Sequence, residues 1–150
     1  MAGAFNNNYA VLLAVAQTFE DTGVRAYKGQ AARLVSNNDV LQAALQIHSV
    51  EARHAAHIRQ MRRNLGAAIP AGQMLQPWIT LNQSGIETGS GALNALIAKS
   101  YAGEEAVSQA NVAITNIGGQ TIAAEQASEA FDEPLTKAQV ADIVDPFVVG

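Results

Sequence analysis

Apolar residues recur every three to four positions over two long stretches in the first half of the chain, which predicts two amphipathic helices. The first is predicted over residues 9–34 and the second over residues 39–64, with Gly66 as its C-terminal cap. A polar turn, Ser36 to Asp39, lies between them and is rich in helix-capping side chains. Because a connection this short makes its helices antiparallel neighbours, residues 1–66 are predicted to form a helical hairpin.

The inward stripe of each predicted helix is apolar at its ends and interrupted by ionisable residues in its middle. On the first helix the stripe contains Tyr9, Leu13, Ala16, Glu20, Gly23, Tyr27, Gln30 and Leu34. On the second it contains Val40, Ala44, Ile47, Glu51, His54, Ile58, Met61 and Leu65. A buried carboxylate is costly unless it is paired or binds a metal ion. The remaining charged residues are expected to face solvent, namely Asp21, Arg25 and Lys28 on the first helix and Arg53, Arg59, Arg62 and Arg63 on the second.

The second half of the chain has a weaker pattern. Prolines and glycines punctuate residues 67–90, which predicts a long connection anchored by Trp78, Ile79 and Leu81. We predict the following helices: a third over residues 91–117, a weaker fourth over residues 121–131, and a short one opened by a capping box at Thr136 and extending to Val144. No strand and no internal repeat is predicted. The expected fold is a single all-α domain, an antiparallel helical bundle with a helical C-terminal tail.

Composition and charge narrow the possible functions. Hydrophobic residues make up 49% of the chain but aromatic residues only 5%, as in helices that pack closely. The absence of cysteine excludes disulfides and thiolate metal sites. A net charge of −4 argues against nucleic-acid binding, and no apolar run approaches the roughly 20 residues of a membrane span. The N-terminus lacks the features of a signal peptide, so the sequence as it stands indicates a cytoplasmic location.

Glu20, Glu51 and His54 form the main candidate site. Residues three apart on a helix share a face, so Glu51 and His54 can bind one ion. Glu20 lies 16 residues before Ser36 and Glu51 lies 13 residues after Asn38, which places both carboxylates at a similar height in the hairpin. Carboxylate and imidazole donors suit iron or manganese. The alternative is structural, with Glu51 paired to an arginine and His54 a hydrogen-bonded core residue. Secondary candidates for a site role are His48, His57, Tyr27 and Glu104.

Three segments resemble a known family. Residues 17–30 (QTFEDTGVRAYKGQ), residues 41–54 (LQAALQIHSVEARH) and residues 128–136 (SEAFDEPLT) are similar to bacterial ferritin-like domain proteins, which include the desiccation-related proteins. The resemblance implies a ferritin-like four-helix bundle. It also implies metal-ligand roles for Glu20, Glu51 and His54. Members of the family carry a further helix pair upstream with its own Glu and Glu-x-x-His, a half that this sequence lacks.

One hairpin supplies half of a two-metal site, since such bundles take a Glu from each of two helices and a Glu-x-x-His pair from each of the other two. The missing half is expected from a second copy in a two-fold homodimer. The alternatives are the later helices of this chain or a separate chain. The expected function is metal binding with possible oxidation of ferrous iron. The alternative is a non-catalytic structural or stress-protective bundle that retains a vestigial site.

Overall fold

The most prominent feature of the protein is a hairpin of two long helices. The computed structural model describes residues 8–148, in which α1 spans Tyr9–Ala31 and α2 spans Asn38–Asn64. Each helix begins at an asparagine, Asn8 or Asn37, whose side-chain oxygen accepts a hydrogen bond from the first turn. The predicted hairpin is therefore confirmed, with α1 ending slightly earlier than the sequence pattern indicated.

The second half of the chain contains only short helices. They are α3 (Gly91–Lys99), α4 (Ala124–Ser128) and α5 (Lys137–Val144), and a 3-10 turn (Asp145–Phe147) follows. The predicted third helix over residues 91–117 is therefore wrong beyond Lys99, and the predicted fourth helix over residues 121–131 is reduced to five residues. The capping box of α5 is confirmed, because Thr136 and Gln139 exchange the expected hydrogen bonds.

Two small β-hairpins replace the end of the predicted third helix. Their strands are β1 (Ser108–Gln109), β2 (Val112–Ala113), β3 (Asn116–Ile117) and β4 (Gln120–Thr121), with β1 antiparallel to β2 and β3 antiparallel to β4. The turn residues Ala110 and Asn111 have φ of 49° and 66°, and the Gly118–Gly119 pair also has positive φ. Consecutive left-handed residues cannot continue an α-helix and suit a two-residue hairpin turn. The prediction of no strand was wrong for this reason.

Most of the described segments after α2 pack against one side of the α1–α2 hairpin, and Phe147 also packs edge-to-face on Phe19. A buried apolar cluster joins the hairpin to the later segments through Ala14, Ile79, Ile86, Ile97 and Tyr101. The opposite side, which we call the open face, bears the midpoints of the predicted stripes. Its members are Tyr9, Leu12, Phe19, Glu20 and Gly23 on α1 and Val40, Ile47, Val50, Glu51 and His54 on α2.

The side of the hairpin that the later segments cover is strongly polar. Asp21 and Arg25 of α1 are 3% and 1% exposed, and Arg59 and Arg62 of α2 are 4% and 1% exposed. The expectation that these residues face solvent was wrong. Buried charges persist where partners from other segments satisfy them, and each of these four side chains hydrogen-bonds to another part of the chain.

The long connection over residues 67–90 is hydrogen-bonded to the hairpin. Arg62 donates to the backbone carbonyl of Gly85 and Gln17 to that of Ser84. Ile79 is buried, which confirms it as an anchor, whereas the side chain of Trp78 is 50% exposed and was wrongly expected to be one. No helix of the described part of the chain is long and apolar enough to cross a membrane.

A close backbone crossing fixes the C-terminal segment on α1. The backbone N–H of Leu135 donates to the carbonyl of Arg25 at 3.0 Å, and the side chain of Leu135 is almost fully buried. At Gly29 the carbonyl of Leu135 occupies the space that a Cβ would need. The absence of a side chain at Gly29 therefore permits this segment to lie directly on the helix.

Candidate metal centre

The structure places Glu20 and His54 within hydrogen-bonding distance on the open face, with Glu51 nearby on α2. The Nδ1 atom of His54 lies 3.3 Å from Oε2 of Glu20, which joins the two helices. Glu51 is one turn before His54 on α2. The His54 side chain is 57% exposed and that of Glu20 is 28% exposed, so the site is accessible from solvent.

Glu51 is the most constrained member of the trio. Its Oε2 atom is buried and has no hydrogen-bond partner in the described structure. Burial raises the pKa of Glu51, the nearby Glu20 carboxylate raises it further, and His54 acts in the opposite direction. These effects indicate that the carboxylates of Glu20 and Glu51 repel each other and that His54 offsets part of this repulsion.

Gly23 provides the space that the Glu51 carboxylate occupies. An ideal Cβ built on Gly23 would lie 2.6 Å from Cδ of Glu51, which is far inside van der Waals contact. Glycine in a helix interior lowers its stability by about 1 kcal/mol relative to alanine. A glycine at this helix position is explained by the close approach of Glu51 from α2, which a side chain at residue 23 would block.

The trio does not form a closed metal site within one chain. Among residues 8–148, no group of three or more His, Asp or Glu side chains is arranged to hold a metal ion. Glu20, Glu51 and His54 face outward between two helices, and the buried apolar cluster of the later segments lies on the other side of the hairpin. Any further donors would have to approach from the open face.

The secondary candidates lie elsewhere. His48 points toward α1, where its Nδ1 is 2.9 Å from the carbonyl of Val24, and His57 is exposed. Tyr27 is half-buried on α1. Glu104 is buried on the covered side, where it pairs with Arg25, so the structure does not bring it to the trio.

A buried polar network on the covered side was missed by the sequence reasoning. Asp21 accepts hydrogen bonds from Arg59 and from the Tyr101 hydroxyl, each at 2.6 Å. Gln17 donates to the same hydroxyl and accepts from Arg62 at 2.5 Å. Burial raises the pKa of Tyr101, so the hydroxyl stays protonated as the donor to Asp21. Gln17, Asp21 and Arg25 are spaced four residues apart along one side of α1, and this spacing could have indicated a buried polar face.

A second buried ion pair holds the later segments on α1. Nε of Arg25 lies 2.5 Å from Oε1 of Glu104, and the guanidinium also donates to the carbonyls of Ser100, Ala102 and Glu133. Burial raises the pKa of Glu104 to about 7, although the charge of Arg25 opposes this shift. The network and this pair are structural contacts on the side opposite the open face.

The sequence of the hairpin is similar to one known domain family. The family model of the ferritin-like domain matches residues 2–64. The hairpin is ferritin-like in sequence. Since the match stops at the last residue of α2, the similarity does not extend to the short helices and strands that follow. Neither a curated protein nor a solved structure matches the chain significantly. The similarity of residues 128–136 and the narrower relation to desiccation-related proteins stay predictions.

Proposed function

We propose that the ferritin-like hairpin binds a divalent metal ion, iron or manganese, through Glu20, Glu51 and His54. One observation carries the proposal: Oε2 of Glu51 is buried and has no hydrogen-bond partner among residues 8–148. Leaving a buried acceptor unsatisfied costs on the order of 1–3 kcal/mol, and more for a charged group. A cation bound at this oxygen would remove that cost and also the repulsion between the two carboxylates.

The chemical types of the three side chains suit such an ion. Two carboxylates and one imidazole are the ligand types that iron and manganese accept. Nδ1 of His54 faces Glu20, which leaves the other ring nitrogen available as a metal donor. Histidine ligands commonly use their second nitrogen to hydrogen-bond a carboxylate, which orients the ring. Glu20 would thus orient His54 or bind the ion directly, and Glu51 would supply the buried oxygen.

The reaction we propose for an iron-loaded site is oxidation of ferrous iron. Bound iron would supply redox chemistry with dioxygen or peroxide. The chain itself would hold the ion with Glu51 and His54, and the exposed side of His54 would leave the site open to small oxidants. Oxygen consumption on addition of ferrous iron, compared with buffer alone, is the assay for this activity.

Equilibrium binding tests the metal site itself. Calorimetric titration with manganese(II), and with iron(II) under anaerobic conditions, is expected to show binding that Glu51→Gln weakens at least 30-fold. The matched control is Glu125→Gln, because Glu125 is an exposed carboxylate in the first turn of α4. Equal affinity of the wild type and Glu51→Gln, or no binding by the wild type, would overturn the proposal.

A structural, stress-protective bundle with a vestigial site is the second candidate. The hydrogen bond between His54 and Glu20 favours it, since the pair already joins α1 to α2 without a metal ion. On this account Glu51→Gln and His54→Leu leave the free energy of unfolding unchanged or raise it, because an unneeded buried charge is removed. A large loss of stability in either variant, together with stabilisation of the wild type by added metal, would count against this second candidate.

A further inference from the structure

We propose that a metal ion and a second copy of this chain bind the open face cooperatively, so that the protein dimerises in a metal-dependent manner. This inference rests on the proposed function and names the partner and the regulation of the same site. It is carried by the position of Glu20, Glu51 and His54 among apolar side chains that stay exposed in the described part of the chain.

One chain supplies half of the metal ligands that a complete two-metal site requires. A hairpin contributes one Glu from α1 and one Glu-x-x-His pair from α2. A two-metal helical bundle uses a Glu from each of two helices and a Glu-x-x-His pair from each of the other two. A two-fold axis through the open face doubles every donor and thereby supplies this whole set, which the described part of one chain does not assemble.

The surroundings of the trio have the character of an interface. Large apolar side chains stay exposed on both helices of the open face: Tyr9 (52%), Leu12 (48%), Val40 (46%), Ile47 (43%) and Val50 (37%). Phe19 of the same face is 38% exposed and packs edge-to-face against Phe147. Contiguous exposed apolar surface on a protein of this size indicates an interaction site. Since these residues flank the trio along both helices, the same contact would bury them and enclose the ionisable groups.

A second copy fits this surface better than another segment of the described chain. The helices after α2 are only nine, five and eight residues long. Ile79, Ile86, Ile97 and Tyr101 pack on the covered side, while Phe147 reaches Phe19 of the open face. A second hairpin offers two helices of matching length, 23 and 27 residues, with the same apolar stripe. Two-fold contacts pair a patch with itself, so a surface that is apolar around a polar centre is self-complementary.

Charge makes this association depend on the metal. Two open faces brought together would place four carboxylates, Glu20 and Glu51 of each copy, around the axis. Like charges held close in a partly dehydrated interface repel strongly, so the metal-free dimer is disfavoured. Two divalent cations would balance the four negative charges. By thermodynamic linkage, the factor by which metal binding raises the dimerisation affinity equals the factor by which dimerisation raises the metal affinity.

The test is the oligomeric state of the full chain with and without manganese(II). Sedimentation velocity over a range of protein concentrations is expected to show monomer in EDTA and dimer in 1 mM manganese(II), with a dimerisation Kd at least 100-fold lower in the presence of metal. Glu51→Gln removes one charge from each copy, so its dimerisation should depend less on metal. Parallel calorimetry measures manganese binding independently of assembly.

A matched pair of variants locates the interface. Ile47→Glu adds a charge to the open face and is expected to stay monomeric in manganese(II). Ile117→Glu makes the same substitution at an equally exposed isoleucine in β3 and should dimerise like the wild type. Circular dichroism confirms that both variants retain the helical content of the wild type. Loss of dimer in both variants, or in neither, would overturn the assignment to the open face.

The outcomes separate this inference from the proposed function. If manganese fails to bind at all, the proposed function fails and the metal dependence fails with it. If manganese binds a protein that remains monomeric at every concentration, the proposed function stands and this inference is overturned. If the dimer forms equally well in EDTA, the cooperative link is overturned.

Discussion

The carboxylate of Glu51 lies in the space that a side chain at Gly23 would fill. This contact joins the two helices of the hairpin at the centre of the open face. It also leaves one oxygen of Glu51 buried without a partner. A contact between a helix-interior glycine and a buried carboxylate is unfavourable in two respects, helix propensity and desolvation. We propose that metal binding offsets both.

Substitution of Gly23 by alanine should separate metal affinity from stability. The new methyl group displaces the Glu51 side chain, which is flexible, and alanine improves helix propensity by about 1 kcal/mol. We expect the free energy of unfolding to stay within about 1 kcal/mol of the wild type. Manganese affinity should fall at least tenfold because Glu51 is moved. Urea denaturation and calorimetry measure the two quantities, and unchanged metal affinity would count against a role for this contact.

Gly29 provides a contrasting substitution on the same helix. Its neighbour is the backbone carbonyl of Leu135, which cannot move aside as a side chain can. We expect Gly29→Ala to lower the free energy of unfolding by about 1–3 kcal/mol, as overpacked sites do. Manganese binding by the folded protein should be unaffected. Urea denaturation of both glycine variants under the same conditions gives the comparison, and equal stability of the two would contradict it.

Removal of Asp21 should weaken the packing between the hairpin and the later segments. Asp21→Ala leaves the buried Arg59 without its carboxylate and the Tyr101 hydroxyl without its acceptor. Breaking a buried pair in this way costs about 3–5 kcal/mol. The control is Asp142→Ala, which breaks an exposed pair with Lys99 and should change stability little. A similar effect of both variants on the urea midpoint would show that the network is not stabilising.

Glu104 should make stability depend on pH. Its pKa is raised in the folded protein from 4.5 to about 7, so between these values the folded protein retains a proton that the unfolded chain releases. The free energy of unfolding therefore falls as pH rises from about 4.5 to about 7, and Glu104 contributes up to about 3 kcal/mol to this fall. Above about pH 7 Glu104 causes no further change.

Glu104→Gln isolates this contribution from the other groups that titrate nearby. The neutral amide resembles the protonated carboxyl and keeps an oxygen to accept the Glu133 backbone N–H. The variant should lose less stability between pH 5 and pH 8 than the wild type. Urea denaturation across this range measures the difference. Parallel profiles for the two proteins would show that Glu104 is ionised throughout.

The sequence pattern predicted the hairpin because periodicity, caps and a short turn all agree there. It also predicted that Glu20 and Glu51 lie at a similar height in the hairpin, since each is about the same number of residues from the turn, and the two carboxylates do interact in the structure. The charged residues Asp21 and Arg59 were assigned to solvent because their partners, such as Tyr101, come from distant parts of the chain. Periodicity describes one helix at a time and gives no information about such partners.

The third helix was predicted too long because apolar residues after Lys99 happened to follow a helical spacing. Two signals favoured strands instead. The segment from Val107 to Ile122 is rich in β-branched residues, and the Gly118–Gly119 pair is typical of a two-residue hairpin turn. The less usual Ala110–Asn111 turn was harder to recognise from sequence.

The most direct test of the metal centre is anomalous scattering from crystals grown with manganese(II) or iron(II). We predict an anomalous peak about 2 Å from a carboxylate oxygen of Glu51 and an imidazole nitrogen of His54, with Glu20 bound to the ion or to His54. We further predict that the remaining protein donors come from a second copy across a two-fold axis. Fully loaded crystals with the metal at other residues, or with no peak at the trio, would contradict the proposed metal centre.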